Sequence, residues 1–93
     1  MLCLAKLANK THVDVKVTRH AISYMKQVID SNISAGKDPM GLAATVLYLS
    51  CQSYGDISKT QKYFAETAEV TDVTIRNRCQ ELRSKIPTMT ISA

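Results

Sequence analysis

At 93 residues the chain has room for one domain and one core, which excludes a multidomain arrangement. Its apolar 45% holds no Trp and a single Phe, and only three Gly and two Pro interrupt it, which argues against a many-turned β fold. A net charge of +4 suits a polyanionic partner such as nucleic acid, because Lys and Arg on phosphates release counterions, but charge selects no fold.

Leu2 to Ala8 is apolar and helical in character but short, and reads as the end of a longer helix. Asn9 to Val13 follows as a connection. Asp14 can cap a second helix by accepting from its first free backbone amides. Val17, Ala21, Ile22, Met25, Val28 and Ile29 recur at three- and four-residue steps and predict its inward face. Lys16, Arg19, Lys26 and Asp30 decorate the remainder, and Asn32 suits the left-handed exit.

Asp38 as a cap and Pro39 at the first position start a third helix. From Met40 to Cys51 it reads MGLAATVLYLSC, uncharged and apolar all round. A helix of that kind is central or membrane-bound, and this one is too short to span. It is therefore expected at the centre, with Gly41, Ala43 and Ala44 letting neighbours approach closely.

Tyr54-Gly55-Asp56 reads as a turn. Thr60 can cap a short fourth helix from Gln61 to Ala68. Glu69-Val70 is a tight corner, and Thr71 can cap a fifth helix that runs to about Lys85 before Pro87 stops it. Residues 88–93 are expected to be a disordered tail.

A short helix, a corner and a second helix make the layout of a helix-turn-helix, whose second helix enters the major groove. Phe64, Ala65 and Ala68 can pack the first of these helices, and Val70 can plug the corner. Ile75, Cys79, Leu82 and Ile86 form one inward stripe on the second. The opposite face centres on Val73, Asn77 and Gln80, with Arg76 and Arg78 flanking it. Arg can pair with guanine, an amide with adenine, and an apolar group can touch the thymine methyl. Thr71, Thr74, Gln61, Lys59 and Lys62 better suit phosphates, contacts that position without specifying. The corner carries Glu69 where such units often use Gly. On pattern alone, the same corner also occurs in helical proteins that touch no DNA, where Arg76 and Arg78 would be solvated charges.

Three cysteines, Cys3, Cys51 and Cys79, are too widely spaced for a zinc-type pair and read as free thiols in a reducing compartment. Met1-Leu2-Cys3-Leu4-Ala5-Lys6 lacks the layout of a signal peptide, and no apolar run reaches the ~18–20 residues of a bilayer span. A soluble intracellular protein, off the membrane, is expected. His12 and His20 read as surface residues, and no phosphate loop, carboxylate pair or activated nucleophile accompanies them, so no enzyme is expected.

Two stretches resemble a known family. GKDPMGLAATVLYLSC, Gly36 to Cys51, is similar to the central helix of the cyclin-type repeats in transcription factor IIB and archaeal transcription factor B. TQKYFAETAEVTDVTIRNRCQEL, Thr60 to Leu82, resembles the helix-turn-helix that ends the second repeat. The likeness covers roughly residues 2–86; VTDVTIRNR is its most specific part, and the Ile75-Arg76-Asn77-Arg78 run looks archaeal.

The resemblance implies an all-α, five-helix cyclin-like fold over residues 1–87, with its helix-turn-helix at 60–85. It implies a monomeric, non-enzymatic piece of a general initiation factor, without cofactor or metal, that reads a promoter element just upstream of the TATA box. The TATA-binding protein and RNA polymerase are the implied partners. The implied base contacts are Val73, Arg76 and Asn77. Gln61, Thr71, Thr74 and Arg78 are implied neighbours at the DNA backbone, joined by Lys37 in the loop before the central helix. The family's zinc ribbon and first repeat are not in this sequence, which reads as one repeat from a longer protein. Asn32 stands where archaeal relatives usually have Gly, and Cys79 where Tyr is common. Two alternatives stay open: a cyclin-type protein-interaction module that reads no bases, and the related factor of the RNA polymerase III system.

Overall fold

The computed structural model describes residues 2–31, 39–55 and 59–85. The expected roles of Asn32, Lys37, Asp38, Asp56, Ile86 and Pro87, of the tail 88–93 and of the Cys3 side chain fall outside what it describes. Among the described residues there are five α-helices and no strand: α1 Leu2–Thr11, α2 Val15–Asp30, α3 Pro39–Ser53, α4 Gln61–Ala68 and α5 Asp72–Lys85.

α3 is the axis of the molecule. It touches each of the other four helices. Leu42 to Leu47 and Leu49 to Cys51 are all buried, as the uncharged, apolar sequence predicts. Gly41 is buried as well, and Ala43 and Ala44 are fully enclosed, so backbones close in at those positions. Its hidden hydroxyls are satisfied: Thr45 Oγ1 donates to the Gly41 carbonyl at 2.8 Å, and Ser50 Oγ pairs with His20 Nδ1 at 3.0 Å.

α1 runs past the expected end at Ala8 to Thr11. Thr11 is buried, and its hydroxyl turns back to donate to the Leu7 carbonyl at 2.8 Å, which lets a polar residue finish an apolar helix. His12, at φ 54°, then leaves the helix in the left-handed region.

α2 begins where predicted, with Asp14 Oδ1 accepting from the Lys16 amide at 3.0 Å. Val17, Ala21, Met25 and Val28 are buried, but Ile22 and Ile29 are not, remaining 36% and 45% exposed. Tyr24 takes the buried place instead. The row 17-21-24-28 steps by four, three and four along one line, and Ile22 and Ile29 lie about 100° further round the helix. The Tyr24 hydroxyl is buried without a hydrogen-bond partner, and burial pushes its pKa well above the usual tyrosine value.

His20 departs from its expected surface role. It is half-buried, bonded to Ser50 and set edge-on to the rings of Tyr24 and Tyr54, and burial lowers its pKa. His12 is exposed, as expected. Cys51 and Cys79 are buried thiols outside any disulfide, the latter pushed up to about 11 by burial.

Candidate nucleic-acid interface

The candidate interface comprises α4, α5 and the corner between them. Thr60 Oγ1 accepts from the Tyr63 amide at 3.1 Å and starts α4. Phe64, Ala65 and Ala68 turn inward, and Phe64 meets the rings of Tyr48 and Tyr63 edge-on at 6.2 and 5.7 Å.

The corner is a Schellman motif. Glu69 adopts φ 59°, ψ 40°, the left-handed conformation usually left to Gly. Its amide donates to the Glu66 carbonyl at 3.2 Å, and the Val70 amide donates to the Ala65 carbonyl at 2.9 Å. Val70 packs half-buried against the core, so it does plug the corner. Thr71 then caps α5: its Oγ1 accepts from the Thr74 amide at 3.1 Å, and the two hydroxyls pair at 2.9 Å.

α5 is divided sharply between inside and outside. Ile75, Cys79 and Leu82 are buried. Val73, Arg76, Asn77 and Gln80 stand exposed on the other side, with Val73 open to 57%. The structure thus brings the three expected base-contacting residues onto one solvent-facing strip near the start of a helix.

The expected backbone contacts are less uniform. Lys62 is exposed on α4 and Thr71 on the cap, while Lys59 and Thr74 are half-buried. Arg78 is also half-buried, with its Nε 3.3 Å from Glu81 Oε1, so it lies round the side of α5 and leans on its own helix. Gln61, expected at a phosphate, donates from Nε2 to the Asp72 carbonyl at 3.2 Å. Lys37 falls outside the described residues.

Sequence reasoning missed the bonds at the far end of α5. Arg83 Nη2 donates to Gln52 Oε1 at 3.3 Å, and Gln52 Nε2 donates to the Tyr48 hydroxyl at 2.8 Å. These tie α5 to α3 across thirty-one residues of sequence, a separation at which local pattern carries no signal.

An apolar groove of about 290 Å³ lies elsewhere, between α1 and α2, lined by Ala5, Ala8, Val13, Val15 and Arg19 among others. Among the described residues its lining has no carboxylate, His or Cys to perform chemistry. Among the described residues no cluster could hold a metal ion, and no helix is long and apolar enough to cross a membrane.

A family model, the transcription factor TFIIB repeat, matches residues 2–85. The transcription initiation factor IIB of Pyrobaculum arsenaticum is 40% identical over 82 residues, a match covering 88% of this chain and 24% of the relative. That of Pyrobaculum neutrophilum is 41% identical over 81 residues, covering 87% and 24%. Transcription initiation factor IIB 1 of Thermococcus kodakarensis is 38% identical over 81 residues, covering 87% and 27%. The chain therefore spans about a quarter of the length of the curated relatives it matches.

Proposed function

The chain belongs to the transcription factor TFIIB repeat family, transcription factors rather than enzymes, and from that premise we propose that it is the second, C-terminal cyclin-like repeat of a general transcription initiation factor. As a monomeric unit spanning residues 1–87, it reads promoter DNA just upstream of the TATA box through α5, beside the TATA-binding protein, and supports recruitment of RNA polymerase.

The observation that carries this reading is the exposed strip of α5. Val73, Arg76 and Asn77 face away from the core, and the opposite side of the same helix is buried, so these three have no packing role to explain them. Arg76 is assigned to guanine, Asn77 to adenine and Val73 to a thymine methyl, each by the pairing its side chain allows. Thr71, Thr74, Lys59, Lys62, Arg78 and, in the preceding loop, Lys37 are assigned to the phosphates. The helix-turn-helix, with its capped second helix and Schellman corner, supports the assignment to the second repeat.

A protein-docking reading has one observation in its favour. Val15, Ile22 and Ile29 recur every seven residues along α2 and all three are exposed.

Titration over a salt series tests the first reading. One duplex carries a TATA box with a purine-rich upstream element, the other a scrambled element, each with and without the TATA-binding protein. Arg76→Ala should weaken binding to the preferred duplex by about 1–3 kcal/mol and abolish the preference. Equal binding of both duplexes by the unmutated chain sinks the base-reading role and leaves the docking role of α2.

A further inference from the structure

We propose that Gln61 is a positioning residue for the recognition helix, holding the turn of α5 that carries Val73 and Arg76; the proposal rests on the base-reading role of α5.

Three observations meet at this residue. The first is the bond itself: Gln61 Nε2 donates to the backbone carbonyl of Asp72 at 3.2 Å, joining the first residue of α4 to the first residue of α5. The second is which carbonyl is held. In an α-helix the carbonyl of residue 72 accepts from the amide four residues on, which is Arg76. Gln61 therefore grips the same peptide group that seats Arg76, with Val73 as the intervening neighbour.

The third is the geometry of the helix pair. α4 and α5 each pack on α3 more than on one another, so their direct link to each other is the smaller part of what orients them. The Schellman corner secures the C-terminal end of α4 to the chain entering α5. α4 is only about 12 Å long at ~1.5 Å per residue. A bond from its other end back to α5 closes a triangle, and a triangle resists rotation that a single corner permits. Misplacing a base-reading side chain by a fraction of its length loses a directional bond to a base edge, while loose phosphate contacts survive. Gln61 should therefore govern discrimination between sequences more than affinity for DNA as such.

The test uses the full chain and Gln61→Met, which keeps the length and apolar stem but has no donor. Binding to the upstream-element and scrambled duplexes is compared in the presence of the TATA-binding protein, alongside thermal unfolding and amide hydrogen exchange of the free chain. Expected are a drop of about fivefold in discrimination, the ratio of one ordinary hydrogen bond, with scrambled-duplex affinity unchanged and the unfolding midpoint lowered by no more than that one bond contributes. The Arg76 amide should exchange about fivefold faster, and Gln61→Lys, which keeps a donor at similar reach, should restore its protection.

Equal weakening on both duplexes overturns the proposal and makes Gln61 a phosphate contact. No change on either duplex overturns it as well. If the unmutated chain does not discriminate, the base-reading role fails and the specificity role of Gln61 fails with it. Exchange at Arg76 then still reports whether the tie orders α5, which separates the two failures.

Discussion

Glu69 holds a conformation that its residue type does not favour. At φ 59° its Cβ crowds the following carbonyl, a strain of roughly 1–2 kcal/mol for an ordinary L-residue. Replacing it with Gly removes that strain and adds back up to ~1 kcal/mol of unfolded-state entropy. Glu69→Gly should therefore stabilise the chain by about 0.5–1 kcal/mol, seen as a higher midpoint in thermal unfolding. A lower midpoint would mean that the Glu69 side chain makes a compensating contact. The position of the corner was legible from the short segment between two capped helices, and the left-handed geometry follows from its tightness. The bond of Gln61 to Asp72 was not legible, because a glutamine on an exposed helix start serves a phosphate and a carbonyl equally well. Arg78 was partly legible: its angular position follows from the helical period, whereas its pairing with Glu81 depends on rotamers.

At the level of elements, the caps decided where helices begin. Asp14, Thr60 and Thr71 each accept a backbone amide at the start of α2, α4 and α5, as local sequence predicts. Removing the cap of α5 has a calculable cost. Thr71→Ala should destabilise the chain by about 1 kcal/mol in denaturant unfolding, since the amide of Thr74 loses its acceptor. An unchanged midpoint would show that water replaces the hydroxyl at no cost. The end of α1 was misplaced because Asn9, Lys10 and Thr11 are polar, and polar residues resemble a connection until the Thr11 hydroxyl finds the Leu7 carbonyl. The face of α2 was misjudged by a different route. Its apolar residues cover an arc wider than one neighbour can bury, and α3 takes the side bearing Tyr24 while leaving Ile22 and Ile29 outside.

Over the whole molecule, stability and the proposed recognition fall on different surfaces, the buried core around α3 and the exposed strip of α5. α3 touches all four others, so a cavity there is felt throughout the fold. Leu47→Ala, at a fully buried site, should cost about 2–5 kcal/mol and threaten folding at this chain length. Arg76→Ala, on exposed surface, should leave unfolding within about 0.5 kcal/mol of the parent while altering DNA binding. Comparable stability losses for both variants would refute this separation.

Five helices, a central α3, three helix starts and the inward stripe of α5 were determined by the sequence alone. Period and capping act within about four residues, and that range is visible in a linear text. Tertiary structure alone decided that Tyr24 rather than Ile22 enters the core, that His20 leaves solvent to meet Ser50, and that Gln61 reaches α5. Each of those outcomes depends on which neighbour arrives from a distant part of the chain, and local pattern holds no record of that arrival.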